Sequence, residues 1–160
     1  MTAWHLVQLN VARLHAPSDA PETAGFVARL PDINALAERS PGFVWRLQTA
    51  EGDATSIRVF DDPLIIVNLT VWESVEALYD FAFRSGHREV MRRRRDWFAK
   101  LADAYVVLWW IPAGSVPTVE EAVGRLELLR RAGPTSDAFT FQERFAPPVS
   151  APPPEPVRPR

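Results

Sequence analysis

Two residues of different chemistry, His87 and Arg94, fall on the apolar side of a stretch with helical period, Ser85 to Phe98. Stepping about 100° per residue from His87 brings Val90, Met91, Arg94, Trp97, Phe98 and Leu101 into one broad stripe, and leaves Arg88, Arg92, Arg93, Arg95 and Asp96 largely outside it. An imidazole among apolar walls with a cation nearby suits a proton acceptor or donor whose pKa is set by its surroundings. The same pair also suits a hydrogen-bonded core histidine and an arginine that buries its methylenes. Both readings stand at this level.

Other polar residues interrupt apolar strands. Asn68 lies inside the run Leu64 to Trp72, on the parity of Leu64, Ile66, Thr70 and Trp72, and Asn10 interrupts the first strand in the same way. A buried amide must find partners, so each closes a local hydrogen bond or holds a polar ligand against the sheet. Arg46, between Trp45 and Leu47, reaches solvent, an acid on a second copy, or an anionic ligand group. Trp72, Trp97, Trp109 and Trp110 offer flat surface, either for packing or, with His87, Arg94 and an asparagine, for a planar ligand.

Composition narrows the choices. The 160 residues are 47% hydrophobic and carry 18 basic against 20 acidic residues, a formal charge of −2. One core and no global field for nucleic acid are expected, since Glu89, Asp96 and Asp103 surround the four consecutive arginines and a helix spreads these over several faces. Cysteine is absent, which removes disulfides and thiolate chemistry. No phosphate loop, dinucleotide fingerprint, His-Glu-x-x-His or nucleophile elbow occurs. His5, His15 and His87 are widely separated, so no metal site is expected, nor any cofactor. The N-terminus lacks a signal-peptide pattern and no apolar run approaches a membrane span, so a cytoplasmic location without membrane partners is the default expectation.

The elements that must position these residues follow from period and punctuation. Residues 4 to 11 alternate with apolar groups on both sides, as in a strand covered twice. A helical pattern runs from Phe26 to Ala37, with Pro31 expected to kink or split it. Strands are expected over Phe43 to Gln48, Leu64 to Trp72 and Tyr105 to Ile111, with a short piece at Ile57 to Phe60 and a turn at Glu51-Gly52-Asp53. Ser74 should cap one helix, Ser85 the next, and Thr118 a third that ends at Gly133-Pro134. Ala138 to Phe145 alternates like a last strand. The order predicts an α+β chain of ferredoxin-like βαββαβ type with an antiparallel sheet, plus a C-terminal helix and strand. The domain spans 1–145, and 146–160, with seven prolines, is a tail. With helices on one sheet face, the other calls for cover by a second copy, hence a homodimer closed as an α/β barrel.

Four phrases carry a family resemblance: Trp4-His5-Leu6-Val7-Gln8-Leu9-Asn10, Pro41-Gly42-Phe43-Val44-Trp45-Arg46-Leu47-Gln48, Ser85-Gly86-His87-Arg88-Glu89-Val90 and Leu108-Trp109-Trp110-Ile111-Pro112-Ala113-Gly114. Together they resemble the domain of unknown function 3291 family across residues 4 to 145. That family resembles, more distantly, the dimeric α/β-barrel superfamily, with its antibiotic-biosynthesis monooxygenases, haem-degrading monooxygenases and muconolactone-isomerase-like proteins. The resemblance implies a small-molecule enzyme, either a cofactor-independent monooxygenase or isomerase-like, acting on a planar aromatic or polyketide-like substrate. His87 would move the proton with Arg94 tuning it, Asn68 or Asn10 would polarise a substrate oxygen, and Arg46, Trp72, Trp97 and Trp110 would bind substrate. One fold hosts several chemistries, so two alternatives stand: a non-catalytic dimeric ligand-binding protein, and a haem-binding or haem-degrading protein for which Asn10, Trp72 and His87 are the nearest matches.

Overall fold

The computed structural model describes residues 3–48, 60–101 and 103–149. Its centre is the strand β1 (Trp4–Leu14), whose two apolar parities are both buried. On one side β1 pairs antiparallel with β3 (Ile65–Trp72), from Leu6 opposite Trp72 to Arg13 opposite Ile65. On the other it pairs with β5 (Val106–Pro112), and the two-residue β4 (Phe98–Ala99) continues that side at Arg13 and Leu14. β2 (Phe43–Arg46) lies outside β3. The order β2-β3-β1-β5, antiparallel throughout, is that of the expected βαββαβ arrangement.

Local chemistry places the helices. Ser74 accepts from the Ala77 N–H and opens α2 (Val75–Arg84), while Thr118 accepts from the Glu121 N–H and opens α5 (Val119–Ala132). Each cap satisfies one of the donors a helix start leaves orphaned. α5 stops at Gly133, whose φ of 73° is open to glycine without strain. α1 (Ala24–Glu38) runs as one helix with Pro31 inside it, so the expected split does not occur.

The sheet divides the core. Leu6, Leu14, Ile66, Trp72 and Leu108 face α1 and α2, against Phe26, Ala37, Val75 and Leu78. The opposite parity, including Val7, Leu9, Val67, Leu69, Val107 and Trp109, lies under Ala122, Leu126 and Leu129 of α5, with no sheet residue of that core cluster more than 6% exposed. The cover expected from a second copy is therefore supplied within the chain, because α5 crosses back over the face that β5 leaves open. The sheet remains open, with β2 and β5 at its margins.

Two other expectations change. The stripe from Ser85 to Phe98 is not one helix but α3 (His87–Arg92) and α4 (Arg94–Trp97), broken at Arg93. Arginines at Arg88, Arg92 and Arg95 stand at repulsive i,i+4 and i,i+3 spacings, which weakens a continuous helix here. Ala138 to Phe145 makes only isolated bridges: Phe139 exchanges two backbone hydrogen bonds with Leu108, then Thr140 accepts from the Glu143 N–H and turns the chain. Phe139, Phe141 and Phe145 serve as aromatic packing against the α2 side of the core. The expected Glu51 turn, residues 57–59 of the short strand and residues 150–160 of the tail lie outside the described residues.

Candidate functional site

Between the sheet and the α1–α4 layer lies a cavity of roughly 160 Å³. Its floor is the even parity of β1 and β3, where two polar pairs stand opposite each other: Gln8 against Thr70, and Asn10 against Asn68. Phe26, Leu30, Ile33, Phe81, Val90 and Phe98 supply the apolar walls, and Asn34 adds an amide from α1. The side-chain amides of Asn10, Asn34 and Asn68 have no hydrogen-bond partner among the described residues. Asn68 is exposed rather than buried as its place in an apolar strand suggested, and Asn10 and Asn34 are half-buried, so all three amides are open to solvent or to a ligand.

His87 stands opposite this floor at the start of α3. Its Nδ1 lies 3.2 Å from the Ala82 carbonyl, an acceptor, so Nδ1 carries the hydrogen and donates. Nε2 is then a bare acceptor, and it has no protein partner among the described residues. Burial is the main influence on this imidazole and lowers its pKa, opposed in part by the Ala82 hydrogen bond. The ring is thus neutral at pH 7, one nitrogen tethered and the other available. The tether is built locally: Ser85 accepts from the His87 N–H and itself donates to the Phe81 carbonyl, which joins the end of α2 to the start of α3.

A relay fixes the floor. The Trp72 indole N–H donates to Thr70 Oγ1 at 2.9 Å, and the Thr70 hydroxyl donates to Gln8 Oε1 at 2.9 Å. Gln8 is left with its two amide N–H donors unpartnered at the cavity wall. Trp72 also stacks on Phe81, with centroids 5.1 Å apart, and Phe81 lies 4.9 Å from the His87 ring. Trp72 therefore supports both sides of the cavity without entering it.

Three arginines reach the wall. Arg46 pairs with Glu38 at 2.7 Å and is only 11% exposed. Arg94 donates to the Tyr105 hydroxyl at 3.1 Å and lies over that ring at 4.8 Å. Arg29 donates to the Gly25 carbonyl at 2.7 Å and lies over Trp97 at 5.3 Å.

Of the residues singled out from the sequence, His87, Arg94, Asn68, Asn10 and Arg46 share the cavity. The three tryptophans do not line it. Trp72 is fully buried behind Phe81, Trp97 is buried against Phe26, and Trp110 donates its indole N–H to the Phe145 carbonyl to anchor the C-terminal segment. Each large ring gains more by burial than by facing a ligand. Of the three nearest matches to a haem pocket, Asn10 and His87 line the cavity and Trp72 does not. Gln8, Thr70, Asn34 and Arg29 escaped the sequence reading. The signal for Gln8 and Thr70 was present in the parity they share with Asn10 and Asn68, but it needed the β1–β3 register to bring the pairs together. Among the described residues no group of three His, Cys, Asp or Glu is placed to hold a metal ion, and no helix is long and apolar enough to cross a membrane.

The profile of a family described as domain of unknown function (DUF3291) matches residues 5–154. No curated protein matches the chain significantly. Among solved structures, the chain is similar to SnoaB, a cofactor-independent oxygenase from Streptomyces nogalater, at 18% identity and a TM-score of 0.45, covering 73% of this chain and 98% of that one. A heme-degrading protein from Mycobacterium tuberculosis is 19% identical with a TM-score of 0.38, over 72% and 98% of the two chains. A Nitrosomonas europaea protein assigned to the antibiotic biosynthesis monooxygenases is 17% identical with a TM-score of 0.42, over 72% and 93%.

Proposed function

The chain belongs to the DUF3291 family, and we propose that it is a small-molecule enzyme in which His87 Nε2 takes a proton from a planar phenolic or enolisable substrate. The observation that carries this reading is the half-tethered imidazole: Nδ1–H is held by the Ala82 carbonyl, and Nε2 stands unpartnered in a residue that lines the cavity. Because His87 lines the cavity, that nitrogen is within reach of a bound ligand. Amide donors from Gln8, Asn10 and Asn68 stand on the floor, where they would stabilise the oxyanion left by proton removal.

The reaction is of cofactor-independent monooxygenase or isomerase-like type. In the oxygenase form the substrate anion gives its electrons to dioxygen, a CH2 becomes a carbonyl, and the second oxygen atom leaves as water with the two hydrogens. In the isomerase form the same anion is reprotonated at another atom. Either way the chain supplies a base, oxyanion donors and an apolar enclosure. Assembly as a homodimer belongs to the same proposal, through the margin α5 leaves partly uncovered at Trp45, Leu47 and Ile65.

The test is to incubate the protein with planar phenols and quinols and measure oxygen uptake and product formation. The expected result is turnover that falls by about 100-fold or more in His87→Ala. Equal turnover in that variant would remove the base role, whereas binding without turnover of any probe by the wild type would leave a ligand-binding protein that uses the same cavity.

A further inference from the structure

Taking the cavity as the ligand site proposed above, we infer that it is selective for a single-ring aromatic carboxylate, with Arg94 and Arg29 holding the carboxylate. The wall contains Arg29, Arg46, Arg94 and His87 but no aspartate or glutamate, although the whole chain has more acids than bases. One of the three positive charges is answered by Glu38 through Arg46. The other two are not: among the described residues neither Arg29 nor Arg94 forms an ion pair, and each spends one N–H on a neutral acceptor, the Gly25 carbonyl or the Tyr105 hydroxyl.

Each guanidinium has five N–H donors in a planar fork. Contact with the Trp97 and Tyr105 rings supports each guanidinium without using the remaining donors. Two half-buried cations in a wall without a carboxylate favour an anion over a neutral ligand, and a carboxylate matches the fork in two-point geometry. Size sets the rest of the ligand. A cavity of ~150 Å³ holds one benzene ring, and this one is roughly 160 Å³, so a single ring fits within it. A hydroxyl on that ring would give His87 its proton and the floor amides their oxyanion.

The probes are 4-hydroxybenzoate and its uncharged isostere 4-hydroxybenzamide, titrated into the full chain by calorimetry. The carboxylate is expected to bind at least about tenfold tighter than the amide, with a preference that shrinks as salt rises. Arg94→Gln and Arg29→Gln should each reduce the preference while amide binding persists, and Arg94→Lys should restore part of it. If a glutamine variant fails to fold, the wild-type ratio and its salt dependence still decide. Equal affinity for the two probes, tighter binding of the amide, or binding of neither would overturn the inference. Its fate is separable from that of the enzyme reading: selective carboxylate binding without turnover of any phenol keeps this inference and defeats the other, while turnover confined to uncharged phenols does the reverse.

Discussion

Trp72 has a single polar hydrogen, fully buried, and Thr70 is its one acceptor. Thr70→Val keeps the shape but leaves that donor orphaned, which should cost about 1–3 kcal/mol in urea unfolding, whereas Thr70→Ser should be far milder. The same change frees Gln8 Oε1, so ligand affinity should fall as well. His87 gives a prediction in pH. Its imidazole titrates near 6.5 when exposed, and burial lowers that value in the fold. Below pH 6.5 the unfolded chain binds the proton first, so the contribution of His87 to stability is full above that pH and is lost as pH falls through the folded pKa. Melting temperature should therefore drop more steeply on acidification in the wild type than in His87→Gln. Equal slopes would mean that the ring is not held neutral by burial.

Gly42 joins α1 to β2 with φ of 82°, and a Cβ there would sit 2.5 Å from the Ala77 Cβ on α2. Gly42→Ala should destabilise by more than about 1 kcal/mol, since strain and clash both oppose it, and it should loosen the α2 wall of the cavity. Thr118→Ala removes the cap of α5 and should cost about 1 kcal/mol in the same unfolding measurement. Caps and turns of this kind were readable from residue type alone. The break at Arg93 and the failure of Ala138 to Phe145 to form a strand were not, because both patterns match a regular period and are overruled by neighbours.

The layer order, helices on one sheet face and α5 on the other, makes the protein depend on α5 for the cover that a second copy was expected to give. Leu126→Ala, at a position 1% exposed, should cost about 2–5 kcal/mol. Sedimentation at micromolar concentration measures what the Trp45 margin adds. A species of 18.0 kDa would mean that α5 suffices, and twice that mass would mean that a second copy covers the remainder. In either case Leu126→Asp should increase association or aggregation, since it unseats the helix from the apolar face.

Alternation in β1, β3 and β5, the caps at Ser74 and Thr118 and the stop at Gly133 are local properties, and the sequence by itself determined the element order and the doubly apolar strands from them. It also brought His87, Val90 and Met91 to one side, because those three lie within about one helical turn of α3. Only the tertiary structure decided which sheet face α5 would take, that Gln8 and Asn10 stand opposite Thr70 and Asn68, and that Arg29 of α1 and Arg94 of α4 share a wall. Register, and the choice between cover from the same chain and cover from another, depend on contacts between residues tens of positions apart. No periodicity within a single segment encodes them.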